Sequence, residues 1–219
     1  NTVREYIKGK TFDEMNKVRI LDPACGSGSF LLRAFDVLVE EGAKRLKREL
    51  TYEEKKGLML NCIYGVDLDE RAVAIAKLNL SLRLADRNKQ LPMLNENIRV
   101  GNSLIEDKAI AGYKAFAWNE EFKSTVEQGG FDVVIGNPPY VKIEQIKQEE
   151  KEWIFEHFIT ATGRTDLYIV FLERALSISK NRGLVSFILP SIWIKAEYGE
   201  KLRTLIANLI NNGNILAVL

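Results

Sequence analysis

Asn137-Pro138-Pro139-Tyr140 is the stretch of this chain whose residue types and order point most directly to chemistry. Two consecutive prolines fix the backbone and remove two amide donors, so they leave carbonyls facing something other than a neighbouring strand. Asn137 then offers an amide oxygen, Pro138 a carbonyl and Tyr140 a flat ring. Two acceptors beside a stacking surface suit a planar substrate that carries an NH2 group. A plain strand-ending turn is the competing reading, and it weakens once three other strand ends carrying similar polar residues are counted.

The first of those ends is residues 22–29 (DPACGSGS), where Asp22 is followed by Gly26 and Gly28 as a strand turns into a helix. Glycines there let a ligand approach the backbone amides at the helix start. A tight turn without a ligand is the plainer alternative. A dinucleotide fingerprint needs a third glycine near Leu31, where Phe30 and Leu31 instead begin a hydrophobic helix, and no GKS or GKT is present, so NAD, flavin and triphosphatase readings lack support. Asp67 closes the next strand, and a carboxylate in that place accepts hydrogen bonds from both hydroxyls of a ribose. The alternative is an N-cap for the next helix, a role that suits Asp69 better. Asn102 closes the third strand and is either an amide for an adenine edge or an ordinary turn residue.

These residues need a scaffold that brings strand ends together. Apolar runs at residues 18–24, 62–67, Ile98–Val100, 131–135, 184–189 and 214–219 read as six strands. Between them, Leu31, Ala34, Phe35 and Leu38 recur at helical spacing, as do Ile75, Leu78 and Leu82 within residues 71–84, and Leu202, Leu205, Ile206, Leu209 and Ile210. Residues 166–179 read as a largely buried helix. Continuous apolar strands alternating with helices predict a mostly parallel sheet covered on both faces, in which ligands bind beyond the carboxyl ends of the strands. Asp22, Asp67, Asn102 and Asn137 are therefore expected on one rim. The long connections 103–130 and 141–165 are unusual as structureless loops, and the second is a candidate lid or substrate-contacting arm.

The chain has 219 residues, 46% of them hydrophobic and 28% charged, which fits one well-cored domain. Its net charge of +1 offers no strong whole-chain field for nucleic acid, so a DNA partner would need a local basic surface or one outside this chain. Cys25 and Cys62 read as small apolar residues, and the one histidine, His157, as a surface or loop residue; no metal site is expected. No apolar run approaches the roughly 20 residues of a membrane span, and the first residues lack a signal-peptide core. Glu53-Glu54-Lys55 and Glu149-Glu150-Lys151 imitate a nuclease triplet but lie in charged stretches, and read as solvated charge.

Taken in order, DPACGSGSFL, VDLD, GNSL and NPPY resemble the motif set of the amino-group DNA methyltransferases, specifically the adenine-N6 enzymes of type I and type IIG restriction-modification systems. TDLYIVFLERAL and GLVSFILPSIWIKAEYGEKLR resemble the segments downstream of the catalytic motif in the type IIG group, so the likeness spans roughly residues 19–203. The resemblance implies an α/β, Rossmann-like class I methyltransferase fold with S-adenosylmethionine as cofactor, held by Asp22, Pro23, Ala24, Cys25, Gly26, Gly28, Asp67, Leu68, Asn102 and Ser103. It implies Asn137, Pro138, Pro139 and Tyr140 as catalytic residues, with Asp166 and Tyr168 at the pocket wall. The implied partner is double-stranded DNA with the target adenine flipped out, bound through a target-recognition region that this chain lacks, and the implied location is a bacterial or archaeal cytoplasm. Residues 1–18 are expected to be the remnant of an upstream helical region and 19–219 the catalytic domain. Cytosine-C5 chemistry is set aside, because neither cysteine stands in the context of that nucleophile; the alternatives left open are NPPY-type methylation of protein glutamine or RNA adenine, and a non-catalytic module that binds the cofactor or a partner subunit.

Overall fold

Ile20 and Leu21 are neighbours on one strand, point to opposite faces, and are both fully buried. The same holds for Val133 and Val134, so both faces of the sheet must be covered. The computed structural model, which describes residues 2–86, 89–211 and 215–218, shows how. Strands β1 (Ile20–Asp22), β2 (Ile63–Asp67), β3 (Ile98–Val100), β4 (Phe131–Gly136), β5 (Ser179–Phe187) and β6 (Ile215–Val218) form one sheet in the order β3-β2-β1-β4-β5-β6. Every neighbouring pair is parallel, with Ile20 opposite Ile63 on one side and Val133 on the other. The expected strands are all present; residues 214 and 219 of the sixth lie outside the described residues.

Helices α1 (Thr2–Tyr6), α2 (Phe12–Met15), α3 (Ser29–Leu46), α4 (Tyr52–Cys62) and α5 (Glu70–Arg83) pack on one face, where Leu31, Phe35, Leu38, Leu58 and Met59 are buried. Val3, Ile7, Met15 and Val18, from the residues read as an upstream remnant, belong to this same core. The other face carries α6 (Lys108–Ala111), α7 (Trp118–Glu121), α8 (Lys123–Glu127), α9 (Gln148–His157), α10 (Leu167–Ile178) and α11 (Glu200–Asn211). Phe116, Trp118, Phe122 and Phe131 meet there largely edge to face, at centroid separations of 5.0–6.2 Å.

One expectation needs correction. Ile75, Leu78 and Leu82 form the solvent face of α5, each about half exposed, while Val73, Ala76 and Leu80 face the core. The two helices approach closely at Ala76, where a Cβ on Gly28 at the start of α3 would stand 3.1 Å from the Cβ of Ala76. Residues 141–165, the candidate lid or substrate-contacting arm, carry regular structure of their own. A helical turn at Ile143–Gln145 and then α9 pack inward through Ile143, Ile154 and Phe158.

At the amino ends of the strands, Asp132 joins four elements. Its carboxylate accepts from Tyr6 Oη at 2.7 Å, the Arg19 N–H at 2.8 Å and Lys180 Nζ at 3.0 Å, with its side chain only 8% exposed. Removing it strands a buried backbone amide and a hydroxyl. Asp132→Ala is expected to lower the unfolding free energy by roughly 2–4 kcal/mol. An unchanged urea midpoint would contradict this.

Candidate active site

The strand order reverses between β1 and β4, the place where open parallel sheets leave a crevice. A cavity of about 350 Å³ opens there. Its sheet side is built by strand ends: Pro23 and Ala24 after β1, Asp67 and Leu68 at β2, Asn102 and Ser103 after β3, and Asn137 and Pro139 after β4. Ile146, Glu150 and Ile154 on the α9 side, with Leu167 and Phe171 of α10, close the opposite wall. Of the expected site residues, Asp22, Cys25, Gly26, Gly28, Pro138 and Tyr140 do not line this cavity; they stand behind it or beside its rim.

Their roles are visible in the contacts. Gly26 (φ +52°) and Gly28 (φ +86°) take the left-handed backbone of the β1–α3 turn, which other residues adopt at a cost. The Gly26 N–H donates to Asp67 Oδ2 at 2.7 Å and the Asp69 N–H to Asp67 Oδ1 at 2.9 Å, so one carboxylate ties the glycine turn to the end of β2. Two of its roughly four acceptor positions remain for a ligand. Asp69 takes the cap of α5, accepting from the Arg71 N–H at 2.8 Å. Asn102 folds on itself, its Oδ1 accepting from the Leu104 N–H at 3.1 Å, and Ser103 Oγ donates to the Pro23 carbonyl at 2.6 Å. Buried Cys25 fills the space above Gly65, and burial pushes its thiol far above the ordinary range.

Asp22 lies under both loops. It is buried, Oδ1 accepts from the Ala24 N–H at 3.0 Å, and Oδ2 has no partner among the described residues. A Cβ at Gly136 would stand 2.5 Å from Oδ1, so the backbone leading into the NPPY segment rests directly on this carboxyl. Burial, helped by the charge of Asp67 and opposed by the Ala24 amide, pushes its pKa up to about 7. Above it, the Ile188 N–H donates to the Gly136 carbonyl at 3.0 Å, which pins the start of the NPPY segment. Asn137 is exposed and Pro138 buried. Tyr140 is half exposed, its hydroxyl 2.5 Å from Asn137 Oδ1 and 2.8 Å from the Ile188 carbonyl. Buried Tyr168 meets its ring edge-on at 5.9 Å and is bonded to Tyr198 Oη, so it backs Tyr140 from within the core. Asp166 stands at the start of α10, bridged through backbone to Lys142.

Sequence reading missed the far wall. Ile146 stands in extended backbone just before α9, and Glu150 and Ile154 lie four apart on that helix, a spacing hidden by the charge around it. Glu150 is therefore not simply solvated charge. Nor is Glu54, which closes a capping box with Thr51 and accepts from both terminal guanidinium nitrogens of Arg48; these bonds hold its carboxyl at about 2. His157 is exposed, stacked on Trp153. Among the described residues no cluster of His, Cys, Asp or Glu is arranged to hold a metal, and no helix is long and apolar enough to cross a membrane.

The pKa of Asp22 makes stability depend on pH. Folding raises it from 3.8 to about 7, so between these values the folded chain keeps a proton that the unfolded chain has released, and stability falls as pH rises. Asp22→Asn keeps an acceptor for Ala24 and carries no charge. It is expected to exceed the wild type in stability by on the order of 1–3 kcal/mol at pH 8 and to lose most of that advantage at pH 4. Denaturant titrations at the two pH values decide it; an advantage that does not depend on pH would contradict the assignment.

Similarity to known proteins agrees with this geometry. The family model of the Eco57I restriction-modification methylases matches residues 61–219, and that of the RMKL-like methyltransferase domains matches residues 13–99. The type II restriction enzyme and methyltransferase RM.Eco57I of Escherichia coli is 33% identical over 93% of this chain, which spans 23% of that protein. The adenine-specific methyltransferase PglX of Streptomyces coelicolor is 27% identical over 91% of this chain and 19% of its own length. Among solved structures, the DNA-bound type ISP restriction-modification enzyme LlaBIII superposes with a TM-score of 0.66 at 18% identity, covering 92% of this chain and 14% of that one. A Listeria monocytogenes protein assigned to the class I S-adenosylmethionine-dependent methyltransferases gives 0.51 at 17% identity, over 94% of this chain and 48% of that one. The fold is thus the class I methyltransferase fold, and S-adenosylmethionine is the cofactor that fold and family imply. The chain belongs to the Eco57I restriction-modification methylase family.

Proposed function

We propose that this domain methylates the N6 position of adenine in double-stranded DNA, as the modification part of a restriction-modification protein. The observation that carries the reading is the meeting of Asn137 and Pro139 with Asp67 and Asn102 around one cavity at the strand-order switch. The adenine assignment draws on NPPY and on the likeness to the adenine-specific PglX.

The residues present fit S-adenosylmethionine. Asp67 keeps acceptor positions for ribose hydroxyls, and Leu68, Leu104 and Ile105 supply apolar wall for a base beside Asn102. The glycine turn leaves open space at Gly26, beside the Asp67 carboxylate that its N–H holds. When bound, the cofactor supplies an electrophilic methyl group on a positively charged sulfur.

The chain's own residues then have to prepare the nitrogen that accepts it. An exocyclic adenine nitrogen is a poor nucleophile because its lone pair is delocalised into the ring. Hydrogen bonds from its two protons to the Asn137 amide oxygen and the Pro138 carbonyl favour a pyramidal nitrogen and free the lone pair. The exposed ring of Tyr140 offers the face on which a base taken out of the duplex stacks. Neither acceptor titrates, so positioning and electrostatics rather than a general base lower the barrier. Site selection belongs in this reading to a target-recognition region outside these 219 residues, consistent with their net charge of +1.

Asn137→Ala in the natural full-length protein is expected to cut methyl transfer to duplex DNA at least 100-fold, about 2.7 kcal/mol, while cofactor affinity stays within twofold. Retained transfer would sink the catalytic assignment. Asp67→Ala is expected to weaken S-adenosylmethionine binding at least tenfold, about 1.4 kcal/mol. An unchanged calorimetric titration would leave Asp67 with its turn-holding role alone.

A further inference from the structure

The hydroxyl of Tyr140 has one proton and two close acceptors. Its oxygen lies 2.5 Å from the atom placed as Asn137 Oδ1 and 2.8 Å from the carbonyl oxygen of Ile188. A main-chain carbonyl only accepts, so Ile188 needs the hydroxyl proton. A carboxamide is different: its oxygen and nitrogen occupy nearly equivalent positions, and the hydrogen-bond network decides which is which. With the amide turned over, Asn137 Nδ2–H donates to Tyr140 Oη, Tyr140 Oη–H donates to Ile188, and each contact has its own proton after a relaxation of a few tenths of an ångström. No other hydrogen bond of the Asn137 side chain competes among the described residues.

The orientation matters for the function proposed above, on which this inference rests. With Oδ1 against Tyr140, the free end of the amide is an NH2 group, and it would face the NH2 group of the substrate, donor against donor. With Nδ2 against Tyr140, Oδ1 is the end left for the substrate. We propose that the Tyr140 hydroxyl, anchored on the Ile188 carbonyl, is a positioning group that holds the Asn137 carboxamide with its oxygen toward the substrate amine.

The anchor is itself held. Ile188 continues from the end of β5, and its N–H is bonded to the carbonyl of Gly136, the residue before Asn137. Ile188 thus grips the catalytic loop twice, once at its start through main chain and once at its end through Tyr140. The ring of Tyr168 stands edge-on against Tyr140 at 5.9 Å and limits its swing. The ring of Tyr140 then has one task and its hydroxyl another, and the two are separable by substitution.

Tyr140→Phe keeps the ring and deletes the hydroxyl. In the natural full-length protein, steady-state methylation of duplex DNA is expected to show kcat reduced about tenfold, with KM for DNA, S-adenosylmethionine affinity and melting temperature little changed. Asn137→Ala is measured beside it. If Asn137→Ala loses activity and Tyr140→Phe keeps kcat within twofold, the positioning role is overturned while the proposed function stands. A Tyr140→Phe variant in which KM and melting temperature shift along with kcat also overturns it, because the hydroxyl would then be structural. Should Asn137→Ala retain transfer, the proposed function falls and this inference falls with it.

Discussion

A parallel sheet covered on both faces can leave polar groups unsatisfied by the sheet only at the ends of its strands, and every other feature of this domain depends on that constraint. Strand interiors such as Ile20-Leu21 and Val133-Val134 are wholly apolar and buried, so Asp22, Asp67, Asn102 and Asn137 are expelled to the carboxyl rim. All strands run the same way, so that rim is common to them. The reversal of strand order between β1 and β4 then parts the helices on either side and opens the cavity.

The rim is held by close approaches rather than by many charges. Asp67 bonds the glycine turn of β1 to the end of β2, Ser103 bonds the loop after β3 to Pro23, and the backbone at Gly136 sits on the carboxyl of Asp22. The loops after β1, β2, β3 and β4 are thereby coupled in pairs across the cavity floor. In the function proposed, such coupling would fix the spacing between a bound cofactor and an acceptor base, and spacing is what a direct group transfer requires. Asp22 carries a cost for it, since a buried carboxyl with one unpaired oxygen disfavours its own charge.

Much of this was legible in the sequence because the physics was local. The strand ends announced themselves by turn residues placed after apolar runs, and the parallel sheet by the alternation of those runs with helical spacing. What escaped depended on partners far along the chain. The apolar count on α5 pointed to Ile75, Leu78 and Leu82, whereas Val73, Ala76 and Leu80 face the core with Ala76 close against Gly28, which only the packed helices reveal. Lys180, Asn181 and Arg182 hid the first part of β5, because its start is exposed and charged. Glu150 hid on the cavity wall inside a charged stretch, and Asp132 read as one polar residue in a strand until its three partners were in place.

The identity of the acceptor atom decides whether the site works as proposed. The most direct measurement is nucleoside mass spectrometry of duplex DNA incubated with S-adenosylmethionine and the natural full-length protein. N6-methyladenine, absent when the cofactor is omitted, is the predicted product. DNA left without methylated adenine, with the label found instead on cytosine, RNA or protein, would contradict it.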